Sequence, residues 1–315
     1  MVYLDLLSGL NMKQVKYDNI LVTGGSGMVG KSLKKYLPNA IYLSSKDCDL
    51  TNEDSVISLM TNNKFDVVIH LAAKVGGIID NINNPDTYFI DNIQMNTNIV
   101  KWSRLTGVKR FIGILSTCIY PDKVNEYPMT EDMLHQGPPT PTNFSYGYAK
   151  RCLAVHIDAC NEQYGTKYQY LTPCNLYGEN DKFGENSHFI AALVKKIVKM
   201  EQDGGDTLGL FGTGKPLRQF MHSDDLAWVI KQCLEKNIYQ SFNVATEDNL
   251  SIKKMAEIAL KSCGLPNTKI IFDSTKPDGQ YRKDVSIDKL KYLLPEFKTI
   301  SLEEGIKKVY DKISK

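Results

Sequence analysis

Near its start the chain passes from a short buried strand, Asn19-Ile20-Leu21-Val22-Thr23, into Gly24-Gly25-Ser26-Gly27-Met28-Val29-Gly30, and then into a helical pattern from Lys31 to Leu37. Few arrangements limit a fold more. The glycines at 24, 27 and 30 are a respaced relative of the dinucleotide fingerprint. One glycine makes the tight turn, another lets the backbone approach a pyrophosphate, and the third lets helix and strand pack closely. The helix N-terminus then offers N–H donors to phosphates. Gly24, Gly25, Ser26, Gly27, Met28, Val29 and Gly30 are therefore the first candidate cofactor contacts.

The alternation that begins there continues. Strands are expected at Ala40–Ser44, Phe65–Ala73, Arg110–Ser116 and Lys167–Thr172, with helices at Asn92–Leu105 and Tyr146–Tyr164. This pattern is the signature of a Rossmann-type α/β fold with a doubly wound parallel sheet. In such a sheet ligands bind beyond the C-terminal ends of the strands. That edge selects Leu71, Ala72 and Ala73, Ile114 and Leu115, and Pro173, Asn175 and Leu176 as further cofactor candidates. The second strand ends in Ser44-Ser45-Lys46, with no acid to hold a ribose 2′-OH. A base and two hydroxyls suit a 2′-phosphate, so the expected cofactor is NADP(H), with Lys46 as a contact. Asp49-Leu50 is placed to reach the adenine edge; a helix N-cap at Asp49 is the alternative. His70 is expected to be a packed strand-end histidine. The small residues of Lys74-Val75-Gly76-Gly77-Ile78 would let a ligand approach the backbone.

After Gly178 the regularity loosens. Asn186 to about Met200, Asp224–Glu235 and Ser251–Gly264 read as helices, and Leu208–Phe211, Ser241–Ala245 and Lys269–Phe272 as strands. Ser301-x-x-Glu304 is a capping box for a last helix. The expected division is an N-terminal extension at 1–17, a dinucleotide-binding domain at 18–180 to which 208–245 partly returns, and a smaller C-terminal α/β region at 181–315 that binds substrate and closes a cleft.

Composition narrows the function classes. Among 315 residues the formal net charge is only +2, which gives no basic field for nucleic acid. No stretch approaches a membrane span. Met1 to Lys16 holds an apolar run broken by Asp5, without the basic flank or cleavage site of a signal peptide. The seven cysteines are scattered, odd in number and without a C-x-x-C pair. They fit a reducing cytoplasm better than a disulfide framework or a zinc site, and no metal is expected.

Ser145-Tyr146-Gly147-Tyr148-Ala149-Lys150 places Tyr146 and Lys150 on one helix face, one turn apart. A nearby ammonium favours the phenolate and lowers a tyrosine's pKa from about 10. A tyrosine tuned in that way can protonate an alkoxide as hydride reaches a carbonyl carbon. Ser116, at the end of the fourth strand, can hydrogen-bond the same carbonyl.

The glycine loop, Ser116, Tyr146-x-x-x-Lys150 and the loop after the fifth strand together resemble the extended short-chain dehydrogenase/reductase superfamily. Ala73-Lys-Val-Gly-Gly77, Ser116-Thr-Cys-Ile-Tyr-Pro121, Ser187-His188 and Lys276-Pro-Asp-Gly279 narrow the likeness to its 3,5-epimerase-4-reductase branch, from about Asn19 onward. The resemblance implies a homodimer, NADPH as cofactor, and GDP-4-keto-6-deoxy-D-mannose bound between two domains and converted to GDP-L-fucose. It implies Cys118 as the base and His188 as the acid that invert C3 and C5. Ser116 and Tyr146 would polarise the C4 oxygen, and Lys150 would bond the nicotinamide ribose, with His188 also near the cofactor. Val75, Gly76, Ser116, Asn175, Lys196, Phe211, Arg218, Asp278 and Lys283 are the implied substrate contacts, Lys196 and Arg218 at the diphosphate and Phe211 on the guanine. Lys196 replaces a more usual Arg, Phe211 a Trp, and Cys174 and Glu179-Asn180 depart from the Pro-Thr-Asn-Leu-Tyr-Gly-Pro-His run. A nucleotide-sugar 4,6-dehydratase would need an acidic pair after the catalytic Ser or Thr, where this chain has Thr117-Cys118. A simple 4-epimerase needs neither Cys118 nor His188. A non-catalytic NADP-binding sensor could lose Tyr146 or Lys150 without penalty.

Overall fold

The computed structural model describes residues 17–184, 187–276 and 278–314. The expected extension before Tyr17, Asn186 at the head of an expected helix, and Pro277 lie outside them. Strands β1 (Ile20–Thr23), β2 (Ile41–Leu43), β3 (Val67–His70), β4 (Arg110–Ile114) and β5 (Tyr168–Pro173) join Phe242–Val244 in one parallel sheet. The order across it is 242–244, β5, β4, β3, β1, β2. The chain reverses direction of growth after β2, and the crevice this opens lies at the β1/β3 ends.

Every residue of β3 and β4 is buried, as expected of parallel strands covered on both faces. Leu21, Ile69, Phe111 and Leu171 are fully inaccessible, and each such side chain stabilises the fold by roughly 1.5–3 kcal/mol. A second core gathers Ile190, Val194 and Ile197 with Leu208, Met255 and Ile306. It is framed by the short parallel pair Thr207–Phe211 and Lys269–Asp273. The expected caps form: Ser251 accepts from the Lys254 N–H and Ser301 from the Glu304 N–H, each worth about 1 kcal/mol.

The glycine loop joins β1 to helix α1 (Met28–Leu33). Gly24 has φ of +68°, and a Cβ there would sit 2.7 Å from Ala72 N. A Cβ on Gly30 would meet Gly25 O at 2.5 Å. These two glycines let the turn close and the helix press on the loop, leaving Ser26 and Gly27 exposed at its tip.

Two local expectations change at the end of β2. Helix α2 (Glu53–Thr61) is capped by Asn52, whose side chain accepts from the Ser55 N–H. Asp49 instead accepts from the Thr51 N–H and hydroxyl, at 3.0 and 2.7 Å, so it makes an Asx turn and no cap. A carboxylate does stand at the strand end: Asp47 folds back to accept from the Ser44 N–H and hydroxyl at 2.7 and 2.6 Å. Those bonds hold Asp47 below the usual carboxylate range.

Helix α3 (Ile78–Asn83) and the first two turns of α4 (Pro85–Leu105) precede Asn92, the expected start of a helix. Pro85 at the first position starts α4 without needing its N–H. The core-facing side of α4 carries Asn92, Asn96 and Asn98, all buried. Each has partners. Asn92 bonds both backbone groups of Lys74 at 3.1 Å, Asn96 meets His70 Nε2 at 3.0 Å, and Asn98 donates to Leu50 O at 3.0 Å. These amides tie α4 to the loops that leave β3 and precede α2. His70 is the packed strand-end histidine expected. It lies between Thr23 and Asn96, and burial pushes it down to about 3, so it stays neutral.

Candidate active site

Helix α5 (Phe144–Tyr164) brings Tyr146 and Lys150 to the ends of β4 and β5. Lys150 is buried, and its Nζ donates to Ile114 O at 2.8 Å. Burial pushes this ammonium down to about 8. The Tyr146 ring meets Tyr88 edge-on, with centroids 6.5 Å apart. Burial, with Cys118 and Tyr88 as neighbours, raises the Tyr146 phenol above its ordinary value. The lowered phenol expected from Lys150 is therefore absent: a backbone carbonyl holds the ammonium, and desolvation dominates at the ring.

Just past β4, Ser116 is extended and its Oγ accepts from the Cys118 N–H at 3.3 Å. That contact opens the short turn Thr117–Ile119 and sets Cys118 beside Ser116. Two donors face the sulfur. Asn143 Nδ2 lies 2.8 Å away and Lys283 Nζ 3.7 Å. A Cβ on Gly147 would sit 2.7 Å from Cys118 O, so the first turn of α5 packs directly on this segment.

His188 precedes helix α6 (Phe189–Gln202) and is 45% exposed. Its Nδ1 lies 3.0 and 3.1 Å from the oxygens of Asp181. That hydrogen bond raises the imidazole's pKa, outweighing burial, and favours the imidazolium that a proton donor requires. Sequence reasoning missed Asp181 and Asn143. The signals were a carboxylate seven residues before a histidine and an asparagine three before the tyrosine.

Lys283 reaches Cys118 from the segment 278–286, which crosses the cleft as a strap. On one side Asp278 accepts from the Thr213 N–H and hydroxyl, both at 2.6 Å. On the other, Gln280 donates to Asp122 O, Tyr127 to Arg282 O, and Met129 pairs with Val285. Arg218 donates to Leu217 O and Gln280 O at 2.7 and 2.6 Å. Asp278 and Arg218, expected on the substrate, are thus engaged in fastening the strap.

The remaining candidates take these places. Phe211 is 66% exposed, with Lys196 Nζ 4.7 Å and Lys276 Nζ 6.0 Å from its ring centre. Lys196 also donates to Gly209 O at 3.3 Å. Asn175 donates to Gln219 O at 2.9 Å. Val75 and Lys46 are exposed, and Leu71, Ala72, Ala73 and Leu176 half-buried, while Leu50, Ile114, Leu115 and Pro173 are buried. A Cβ on Gly76 would overlap Tyr88 Oη, which explains a glycine there without a ligand. Cys174 is buried, which pushes its thiol up to about 12. Glu179 turns to His222 at 3.0 Å and Lys35 at 3.3 Å, and Lys35 also pairs with Asp224 at 2.8 Å. Among the described residues no group of side chains could hold a metal ion.

The NAD dependent epimerase/dehydratase family matches residues 20–245. The chain belongs to that family. It is 39% identical over 300 residues to the GDP-L-fucose synthase of Dictyostelium discoideum, covering 91% of this chain and 92% of that one. It is 36% identical over 307 residues to a probable GDP-L-fucose synthase of Drosophila melanogaster, covering 91% and 94%. A crystal structure of a GDP-L-fucose synthetase from Naegleria fowleri bound to NADP superposes with a TM-score of 0.85 at 34% identity, over 96% of this chain and 97% of that one. As a member of this family the chain is an enzyme built to work with a nicotinamide dinucleotide, on the parallel sheet expected from the glycine loop. Among the described residues no helix is long and apolar enough to cross a membrane.

Proposed function

We propose that this enzyme epimerises GDP-4-keto-6-deoxy-D-mannose at C3 and C5 and reduces it at C4, giving GDP-L-fucose with NADPH as the reductant. One observation carries the reading: Cys118, with Asn143 and Lys283 at its sulfur, sits next to Ser116 at the strand end that Lys150 also reaches. A reductase alone has no use for a thiol so placed.

The residues fit the cofactor. Ser26 and Gly27 are exposed at a loop that a Cβ on Gly24 or Gly30 would block, and this cradle suits a pyrophosphate. We read Ser44 and Lys46, at the end of β2, as the contacts of the ribose 2′-phosphate, and Lys150 as that of the nicotinamide ribose. NADPH, when bound, supplies hydride to C4.

The 4-keto group acidifies the hydrogens on C3 and C5. Cys118 as thiolate takes one of them: the C–H bond breaks, S–H forms, and the electron pair passes to the C4 oxygen. Donation from Ser116 and Tyr146 steadies that oxyanion. His188, held protonated by Asp181, returns a proton on the opposite face and so inverts the carbon. In the reductive step the Tyr146 phenol gives its proton to the C4 oxygen. Its raised pKa keeps it the donor until that moment.

The GDP moiety is read as lying between Phe211, which stacks on guanine, and Lys196 and Lys276, which face its phosphates, with Arg218 giving the diphosphate the N–H groups that the strap leaves it. We place the cofactor on residues 18–180 and the sugar nucleotide mainly on 181–315. Exposed Phe89 and Ile90 on α4 with Phe144 and Val155 on α5 support a homodimer through these two helices. Seven free thiols support a reducing, cytoplasmic setting.

The test is incubation with GDP-4-keto-6-deoxy-D-mannose and NADPH, following the loss of reduced cofactor and the identity of the sugar. Oxidation of NADPH with appearance of GDP-L-fucose is expected. A folded protein that oxidises no NADPH with this substrate would overturn the proposal.

A further inference from the structure

Asn143 stands immediately before α5, where asparagine ordinarily caps a helix by accepting from an N–H of the first turn. It makes no such bond. Its Nδ2 points to Cys118 Sγ, and its Oδ1 is buried without a hydrogen-bond partner. The local turn does not need this arrangement, because the Asn143 backbone N–H already bonds Thr140 O. The amide has left a favourable local role for a contact with sulfur. That contact is held in place because α5 presses on Cys118 at Gly147.

We infer that Asn143 is a positioning residue for proton transfer by Cys118; the inference rests on the reading of Cys118 as the base. A thiolate only accepts hydrogen bonds, whereas a thiol also has one to give. With the sulfur ionised, the Asn143 amide donates to it alongside Lys283. When Cys118 takes a carbon-bound proton, the C–H pair moves toward the C4 oxygen and an S–H bond forms. Rotation of the amide then turns its unpartnered Oδ1 to accept from that S–H. Asn143 gains and loses no proton; the sulfur passes its proton to solvent. An amide can serve both states of the thiol from one position. Lysine could serve only the ionised state, and aspartate only the neutral one.

The experiment compares the parent enzyme with Asn143→Ala and Asn143→Asp in heavy water. Deuterium entering C3 and C5 of GDP-4-keto-6-deoxy-D-mannose is measured separately from hydride transfer to the already epimerised keto sugar. Loss of one charge-assisted hydrogen bond should slow deuterium entry roughly 10- to 100-fold in the alanine variant. Hydride transfer should fall by far less, and the retained reductive step shows that α5 is folded. The aspartate variant, nearly the same shape but repelling a thiolate, should exchange no faster than alanine. Alkylation of Cys118 by iodoacetamide should slow in the same order. Parent-like exchange in either variant, or equal losses in both steps, overturns the inference. A parent enzyme that reduces the sugar yet admits no deuterium overturns the role of Cys118 as base as well.

Discussion

The cleft has two walls of different construction. Tyr146 and Lys150 stand on a helix of 21 residues packed on the sheet, with Lys150 buried against a strand carbonyl. Cys118, His188 and Lys283 stand on a single short turn, a helix-entry loop and a strap. Each is aimed by a partner outside its own element: Asn143, Asp181, and the anchors of the strap at Thr213 and Asp122. The wall proposed to reduce is positioned by regular secondary structure, and the wall proposed to epimerise by side-chain hydrogen bonds. This difference is chemically sensible. Hydride transfer needs one fixed geometry, whereas a base and an acid must act at two carbons in turn.

The sharpest way to break the comparison is at Tyr146. Tyr146→Phe removes the proton donor and should lower hydride transfer by roughly 10²–10⁴-fold, measured as NADPH oxidation in single turnovers. Deuterium entry at C3 and C5 should fall much less, because Ser116 still faces the C4 oxygen. Equal losses would mean that the two walls are one machine.

Cys118→Ser is the complementary cut. A serine hydroxyl is a far weaker base than a thiolate, so deuterium entry should fall by roughly 10²-fold or more. Reduction of the already epimerised keto sugar should survive. Chemical analysis of the product from the unepimerised substrate would then reveal a sugar reduced at C4 but not inverted at C3 and C5.

Asp181→Asn tests whether the epimerising wall depends on its hydrogen bonds. Asp181 raises the His188 pKa. A raised pKa keeps the imidazolium populated to higher pH, so acid catalysis is present below that pKa and lost as pH rises through it. Removing the carboxylate lowers the pKa, and the alkaline limb of the epimerisation profile should move to lower pH. Along that limb the epimerisation rate should fall below the parent's in proportion to the lost imidazolium fraction. The profile of hydride transfer should not move with it.

The same contrast governs what could be read from the chain alone. The glycine loop, the apolar runs of β1, β3 and β4, and the i,i+4 spacing of Tyr146 and Lys150 are local patterns, and each leads directly to a position in the fold. Helix α3 and the start of α4 were not legible because α3 has only six residues and the first two turns of α4 bury Tyr88 while leaving Phe89 and Ile90 exposed, so no apolar period marks them. Cys118 and His188 emerged through a motif likeness, but not what aims them. The Asn143–Cys118 contact spans 25 residues and the Lys283–Cys118 contact 165, and no periodicity connects such pairs. Asp278 and Arg218 show the same limit: their side chains suit a sugar or a phosphate, and only the path of the strap reveals that they also fasten it.

The smallest effect, and the most discriminating one for the strap, is expected at Asp278. Its carboxylate accepts two hydrogen bonds from Thr213. If those bonds serve to hold Lys283 over the cleft, Asp278→Ala should raise KM for the GDP-sugar and slow deuterium entry, each by about 3- to 10-fold, the value of one or two exposed hydrogen bonds. Thr213→Ala removes the bond from its hydroxyl and leaves the bond from its backbone. It should therefore give the same pattern at reduced size, although Thr213 itself would touch no substrate. A carboxylate that bound the sugar directly would behave otherwise: Asp278→Ala would raise KM, and Thr213→Ala would leave deuterium entry unchanged. The ratio of the two variants thus separates a residue that fastens the epimerising wall from one that belongs to its surface.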